Sequence, residues 1–203
     1  HTVEGTTEGH ISGGEWDFVA IEEHPEVSSF PTGHRQEHSH PHAMQLTESI
    51  KRAGASPILL ESWAFRDGDG HNRADDTFLE MQKRLSQGCI ETASAAGAKL
   101  VPIGRAFQRA VEKHPQIQLW QHDGRHASRA GIYLAAAVIY AFIFGAHPQE
   151  LPLIAPNARQ GGLRPRDVDV LQHVVAELLS LGPHAMQQRQ GREEGPRPRL
   201  ELR

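Results

Sequence analysis

An aspartate and a histidine stand three residues apart in the run Leu119-Trp120-Gln121-His122-Asp123-Gly124-Arg125-His126-Ala127-Ser128-Arg129-Ala130-Gly131. The pair lies in a glycine-bearing loop just ahead of a helical segment. In such a loop the Asp123 carboxylate can turn back and accept from one imidazole nitrogen of His126. The other nitrogen is then free to take a proton from a hydroxyl nucleophile. That is the orienting-and-base half of a Ser-His-Asp triad. The same spacing also serves capping and surface pairs, so the motif needs its context.

Other residues compete for a chemical role. His34, His38, His40 and His42 crowd one segment, and His34 and His38 would share a face if it were helical, as paired metal ligands do. Pro41 and the absence of apolar period predict a loop there instead, with adventitious metal affinity and no functional metal. Asp67-Gly68-Asp69-Gly70-His71 starts like a calcium loop, but Asn72 stands where glycine is needed and Phe78 where the bidentate glutamate belongs. It reads as a polar loop following Trp63-Ala64 at the C-terminal edge of a strand. In open α/β sheets that edge is where substrates bind, so Trp63 and Arg66 are candidate substrate contacts. Trp63 is equally suited to core packing. Cys89 reads as a small buried hydrophobe.

The elements that must position these residues alternate in type. Strand patterns occur at Trp16–Ile21, Ser56–Trp63 and Lys99–Gly104. Helical patterns occur at about 43–52, 77–96, 106–113, 129–144 and 167–181, with Gly54 and Gly97 as stops. Glu22 to His42 has no period and is expected to be a loop. Strand–helix alternation predicts an α/β fold, a three-layer α/β/α sandwich with a mostly parallel sheet. Three strands are few for 203 residues. The sheet is therefore expected to lack its first strand, and the chain, which opens at His1, to lack an N-terminal unit.

Composition narrows the function. Net charge is −4, which supplies no basic field for nucleic acid or an anionic membrane. The longest stretch without Asp, Glu, Lys, Arg or His is Ala130–Ala146, 17 residues, just short of a bilayer span and better read as a buried helix. One cysteine excludes an intrachain disulfide and a multi-cysteine zinc site but does not fix the compartment. Residues 182–203 carry five arginines and three glutamates without apolar period and are expected to be a disordered tail beyond a domain at 1–181.

The order of these pieces carries a resemblance. A Trp16-Asp17 strand, a Pro102-Ile103-Gly104 strand, and Asp123-Gly124-Arg125-His126 followed by Tyr133-Leu134-Ala135-Ala136 resemble the SGNH (GDSL-like) hydrolases. The likeness is to a bacterial branch with an Asp-Gly-x-His closing motif, and it covers roughly Trp16 to Pro148. It implies that Asp123 and His126 are the catalytic acid and base of an ester hydrolase. The implied substrate is a small-molecule, carbohydrate or lipid ester, and no metal or organic cofactor is required. Two departures stand out. The family nucleophile is a serine in a turn after the first strand, and Ser12, the nearest serine, follows no apolar strand. The expectation is a serine outside this chain. In these relatives the first quoted strand runs into Gln-Glu-Gln-Ser, whereas here it runs into Glu22-Glu23-His24-Pro25, and Glu22 would oppose an oxyanion. The alternative is a non-catalytic binding protein that kept the fold without the nucleophile.

Overall fold

The computed structural model describes residues 6–145 and 162–180. The 182–203 tail therefore lies outside the described residues. The chain divides into two compact units. One holds residues up to Gln108 together with Asp123–Arg125; the other holds Arg109–His122 and the residues from His126 onward.

The first unit is built on three parallel strands in the order β1 (Phe18–Glu22), β2 (Ser56–Leu60), β3 (Lys99–Val101). The register pairs Phe18 with Ser56 and Ile58 with Lys99. This bears out the parallel α/β reading. Pro57 sits in the central strand, where a missing N–H is usually costly. Ser56 N donates to Asp17 O on the β1 side, so the proline position faces the other side, ahead of the first paired residue of β3. No ladder bond is lost. Helices α1 (Thr6–Ser12) and α4 (His40–Arg52) cluster Ile11 and Ile50 with Val19 and Ile21 of β1. Met81 and Leu85 of α5 (Phe78–Ala96) are fully buried, as is Phe107 of α6 (Ile103–Lys113). Thr77 Oγ1 caps α5 by accepting from Glu80 N, and Gly97 ends it with φ 66°.

The segment expected as a loop is largely helical. It forms α2 (Pro25–Ser29) and α3 (Thr32–His38) before running into α4. The reason is polar rather than apolar. Arg35 is buried and donates to Phe30 O, Thr32 Oγ1 and Glu91, so α3 is tied down without a hydrophobic stripe. Pro41 does not break the segment; it lies in the first turn of α4, where its missing N–H costs nothing. His34 and His38 do share a face, with ring centroids 4.6 Å apart and the planes tilted by 57°. Among the described residues no three metal-ligating side chains converge.

In the second unit α7 (Arg129–Phe144) packs against α8 (Pro165–Ser180). Ser128 caps α7, its Oγ accepting from Ala130 N and Gly131 N at 3.1 and 3.2 Å. Gln172 Nε2 donates to the Tyr133 hydroxyl at 2.9 Å. Lys113 and Arg109 both donate to Glu177 and hold its carboxyl at a pKa of about 2. No helix among the described residues is long and apolar enough to cross a membrane.

Candidate active site

The Asp-Gly-x-His run forms a tight loop between paired ends. Trp120 and Ala127 form an antiparallel bridge, Gln121 N donates to His126 O at 2.8 Å, and Ser128 N donates to Leu119 O at 2.8 Å. His126 is exposed and stands two residues before the N-cap of α7. Asp123 is also exposed; its Oδ1 accepts from Arg125 N at 2.9 Å, an Asx turn that orients the carboxylate. Gly124 has φ 69°, a conformation that disfavours a side chain, and a Cβ there would meet Arg66 Nη2 at 3.2 Å.

The tip of the loop rests on residues 63–67 of the same unit. Arg66 N donates to Gly124 O at 2.7 Å, and Trp63 Nε1 donates to Arg125 O at 3.1 Å. The Arg125 guanidinium lies 4.6 Å above the Phe65 ring. Trp63 is stacked on Phe107, with centroids 4.9 Å apart and planes within 9°. Its ring is thus packed, and its polar end supports the Asp123–Arg125 turn. Arg66 forks onto Asp67 and keeps 41% of its side chain exposed beside the turn. Hydrogen bonding to Asp67 raises the Arg66 pKa, and the Asp123 charge adds to it; the same bond lowers that of Asp67.

Beneath this edge lies a buried polar network that sequence reasoning missed. Glu61 is fully buried at the end of β2, where it accepts from Ser86 Oγ at 2.6 Å and Arg105 Nε at 3.0 Å. Burial raises its pKa, and Arg105 and Ser86 offset only part of that rise. Gln82 completes the support: its Oε1 accepts from Ala64 N at 2.8 Å. Glu61 follows an apolar strand with no local motif, so only the fold could mark it. A folded-state pKa above the usual 4.5 means that the native chain binds this proton more tightly than the unfolded chain. Stability must then fall as pH rises from 4.5 through the raised value. Glu61→Gln should remove that slope, so its melting temperature should gain on the native protein between pH 4.5 and 8. A constant difference over that range would show that Arg105 fully compensates the carboxylate.

The remaining sequence candidates separate from the loop. Ser12 closes α1 and donates to Gly9 O at 3.3 Å. Glu22 is exposed at the end of β1, while Glu23 accepts from Ser28 Oγ at 2.5 Å and from Ser39 Oγ. His24 caps α2, its Nδ1 accepting from Glu26 N. Cys89 is buried as expected, its thiol pushed up to about 12 by burial, which makes it inert. Asp69 is buried and accepts from the backbone N–H and the side-chain amide of Asn72.

The fold is the α/β fold of SGNH-like proteins. A DUF4886 family protein from Bacteroides uniformis superposes with a TM-score of 0.73 at 18% identity, over 86% of this chain. This chain covers 66% of the length of that protein. A protein from Slackia heliotrinireducens, described as "a putative SGNH hydrolase", superposes with a TM-score of 0.55 at 26% identity, over 67% of this chain and 70% of its own. No protein-family model and no curated protein matches the chain significantly.

Proposed function

We propose that this protein is an SGNH-type serine ester hydrolase acting on a small-molecule, carbohydrate or lipid ester. The observation that carries the reading is the Asp123-Gly124-Arg125-His126 turn, set ahead of a capped helix in a chain with the SGNH-like fold. In this reading a serine hydroxyl attacks the ester carbonyl as His126 takes its proton. The tetrahedral intermediate then collapses, and the alcohol leaves with the proton that His126 returns. Water repeats the sequence on the acyl-serine and releases the acid. Asp123 orients the imidazole and stabilises the imidazolium. Arg66 contacts the substrate beside the turn. The chemistry balances without a metal or organic cofactor.

The nucleophilic serine is assigned to chain preceding His1. The support is β1, which among the described residues is paired on one side only and leaves Ala20 exposed in its middle. A strand added there would bring a strand-to-helix turn to the C-terminal edge of the sheet. The test is p-nitrophenyl acetate hydrolysis by the 203-residue chain and by the chain extended upstream. The first should show negligible turnover, and the second should show turnover that a serine-directed phosphonate abolishes. Phosphonate-sensitive turnover by the 203 residues alone would point to an internal nucleophile, with Ser12 the first to mutate. Upstream coding sequence with no Gly-x-Ser turn would sink the hydrolase reading.

A further inference from the structure

A cavity of about 700 Å³ opens in the first unit between the Phe30–Thr32 rim, the Asp69–Arg73 loop and one face of α5. Its volume lies within the roughly 300–1,000 Å³ typical of ligand sites. Four cationic side chains line it, and they fall into two kinds. Arg35 and Arg84 are structural. Arg35 is buried, pairs with Glu91 and holds the Phe30–Thr32 rim through its bonds to Phe30 O and Thr32 Oγ1. Arg84 forks onto the buried Asp76 at 3.0 and 2.6 Å, and Asp76 in turn accepts from Asp69 N at 2.9 Å. Burial would raise the Asp76 pKa, but the Arg84 fork and the Asp69 N–H bond together hold it below the usual carboxylate value. Both walls are thus braced before any ligand arrives.

Arg73 and Lys83 are different. Both line the cavity, both are exposed, and neither makes an ion pair or side-chain hydrogen bond among the described residues. No carboxylate is held against either charge among the described residues. The same walls carry Glu80 as an acceptor, the Asn72 side chain, whose Nδ2 is held by Asp69 and whose Oδ1 remains an acceptor, and the half-buried Phe30. Two unspent cations, scattered hydrogen-bonding groups and one ring suit a ligand that is hydroxylated, has an apolar face and bears a negative charge.

We propose that this cavity binds an anionic sugar, its carboxylate or phosphate on Arg73 and Lys83 and its hydroxyls on Glu80 and Asn72. Asp69 is only three residues from Arg66, which bonds Gly124, so the two positions are at most about 11 Å apart along the chain. Identification of this sugar as the alcohol portion of the ester rests on the hydrolase reading; the binding itself does not.

Calorimetric titration of the 203-residue chain with trigalacturonate, glucose 6-phosphate and maltotriose tests the site. At least one anionic probe should bind, and maltotriose should bind at least tenfold more weakly. Preference between the two anionic probes tells a sugar acid from a sugar phosphate. Arg73→Gln with Lys83→Gln should weaken the anionic probe at least tenfold at unchanged melting temperature, and added salt should weaken it in the native protein. His126→Ala should leave binding intact, which separates failure of this site from failure of the catalytic reading. Binding of no probe, equal binding of maltotriose, or full binding by the double variant would overturn the proposal.

Discussion

In the protein that carries its serine, His126→Ala is expected to lower kcat for p-nitrophenyl acetate by at least about 10³-fold, a loss of about 4 kcal/mol of transition-state stabilisation. The turn around it should survive. Its closing bonds are made by the backbone of residues 119–121 and 126–128, and alanine keeps all of them. Asp123→Asn provides the complementary test. Asparagine keeps an Oδ1 that can accept from Arg125 N, so the Asx turn stays while the charge goes. The expected loss is roughly 10²–10⁴-fold, from a mis-set imidazole tautomer and an unstabilised imidazolium. Loss of activity in the histidine variant with full activity in the asparagine variant would leave His126 as base but remove Asp123 from the mechanism. Full activity in both would end the assignment of this loop as the catalytic one.

What could be read from sequence followed from whether a residue's role is local. The three strands, α5 and α7 announced themselves through apolar runs, and the end of α5 through Gly97. The Asp123–His126 turn was visible for the same reason, since glycine, spacing and the following helix are neighbours in the chain. Residues 25–38 were not legible. Their helices are held by Arg35, whose partner Glu91 is 56 residues away, and no periodicity records such a contact. Glu61 was missed in the same way, because Ser86 and Arg105 reach it only once β2, α5 and α6 are assembled. Trp63 was ambiguous between packing and substrate. The structure stacks its ring on Phe107 and sets its N–H on the Asp123–Arg125 turn. The cavity, too, is an emergent feature: Arg73 and Lys83 look like ordinary surface charge until the loop and α5 bring them to one rim.

Gly88→Ala should destabilise the protein, although helix propensity predicts the opposite. An interior helical glycine replaced by alanine ordinarily gains about 0.8–1 kcal/mol. Gly88, however, is where α5 meets α2, and a Cβ there would lie 1.9 Å from Ser28 O and 3.1 Å from Arg35 Nε. The obstructing atom is backbone, and α2 has little room to yield. Ser28 is fully buried with its hydroxyl on Glu23, and Arg35 is committed to Phe30 and Glu91. An overpacking cost of about 3 kcal/mol, the upper end of the usual range, outweighs the propensity gain and leaves a net loss near 2 kcal/mol. For a chain of this size that corresponds to a fall of about 4–8 °C in melting temperature. Gly33→Ala in α3 is the matched control, because no atom lies within 4 Å of its would-be Cβ, and it should be neutral or slightly stabilising. The clash also predicts a second readout. Pushing α2 off α5 moves the Phe30–Thr32 rim, so Gly88→Ala should weaken anionic-sugar binding where Gly33→Ala does not. An unchanged or raised melting temperature in Gly88→Ala would show that α2 and α5 do not meet this closely.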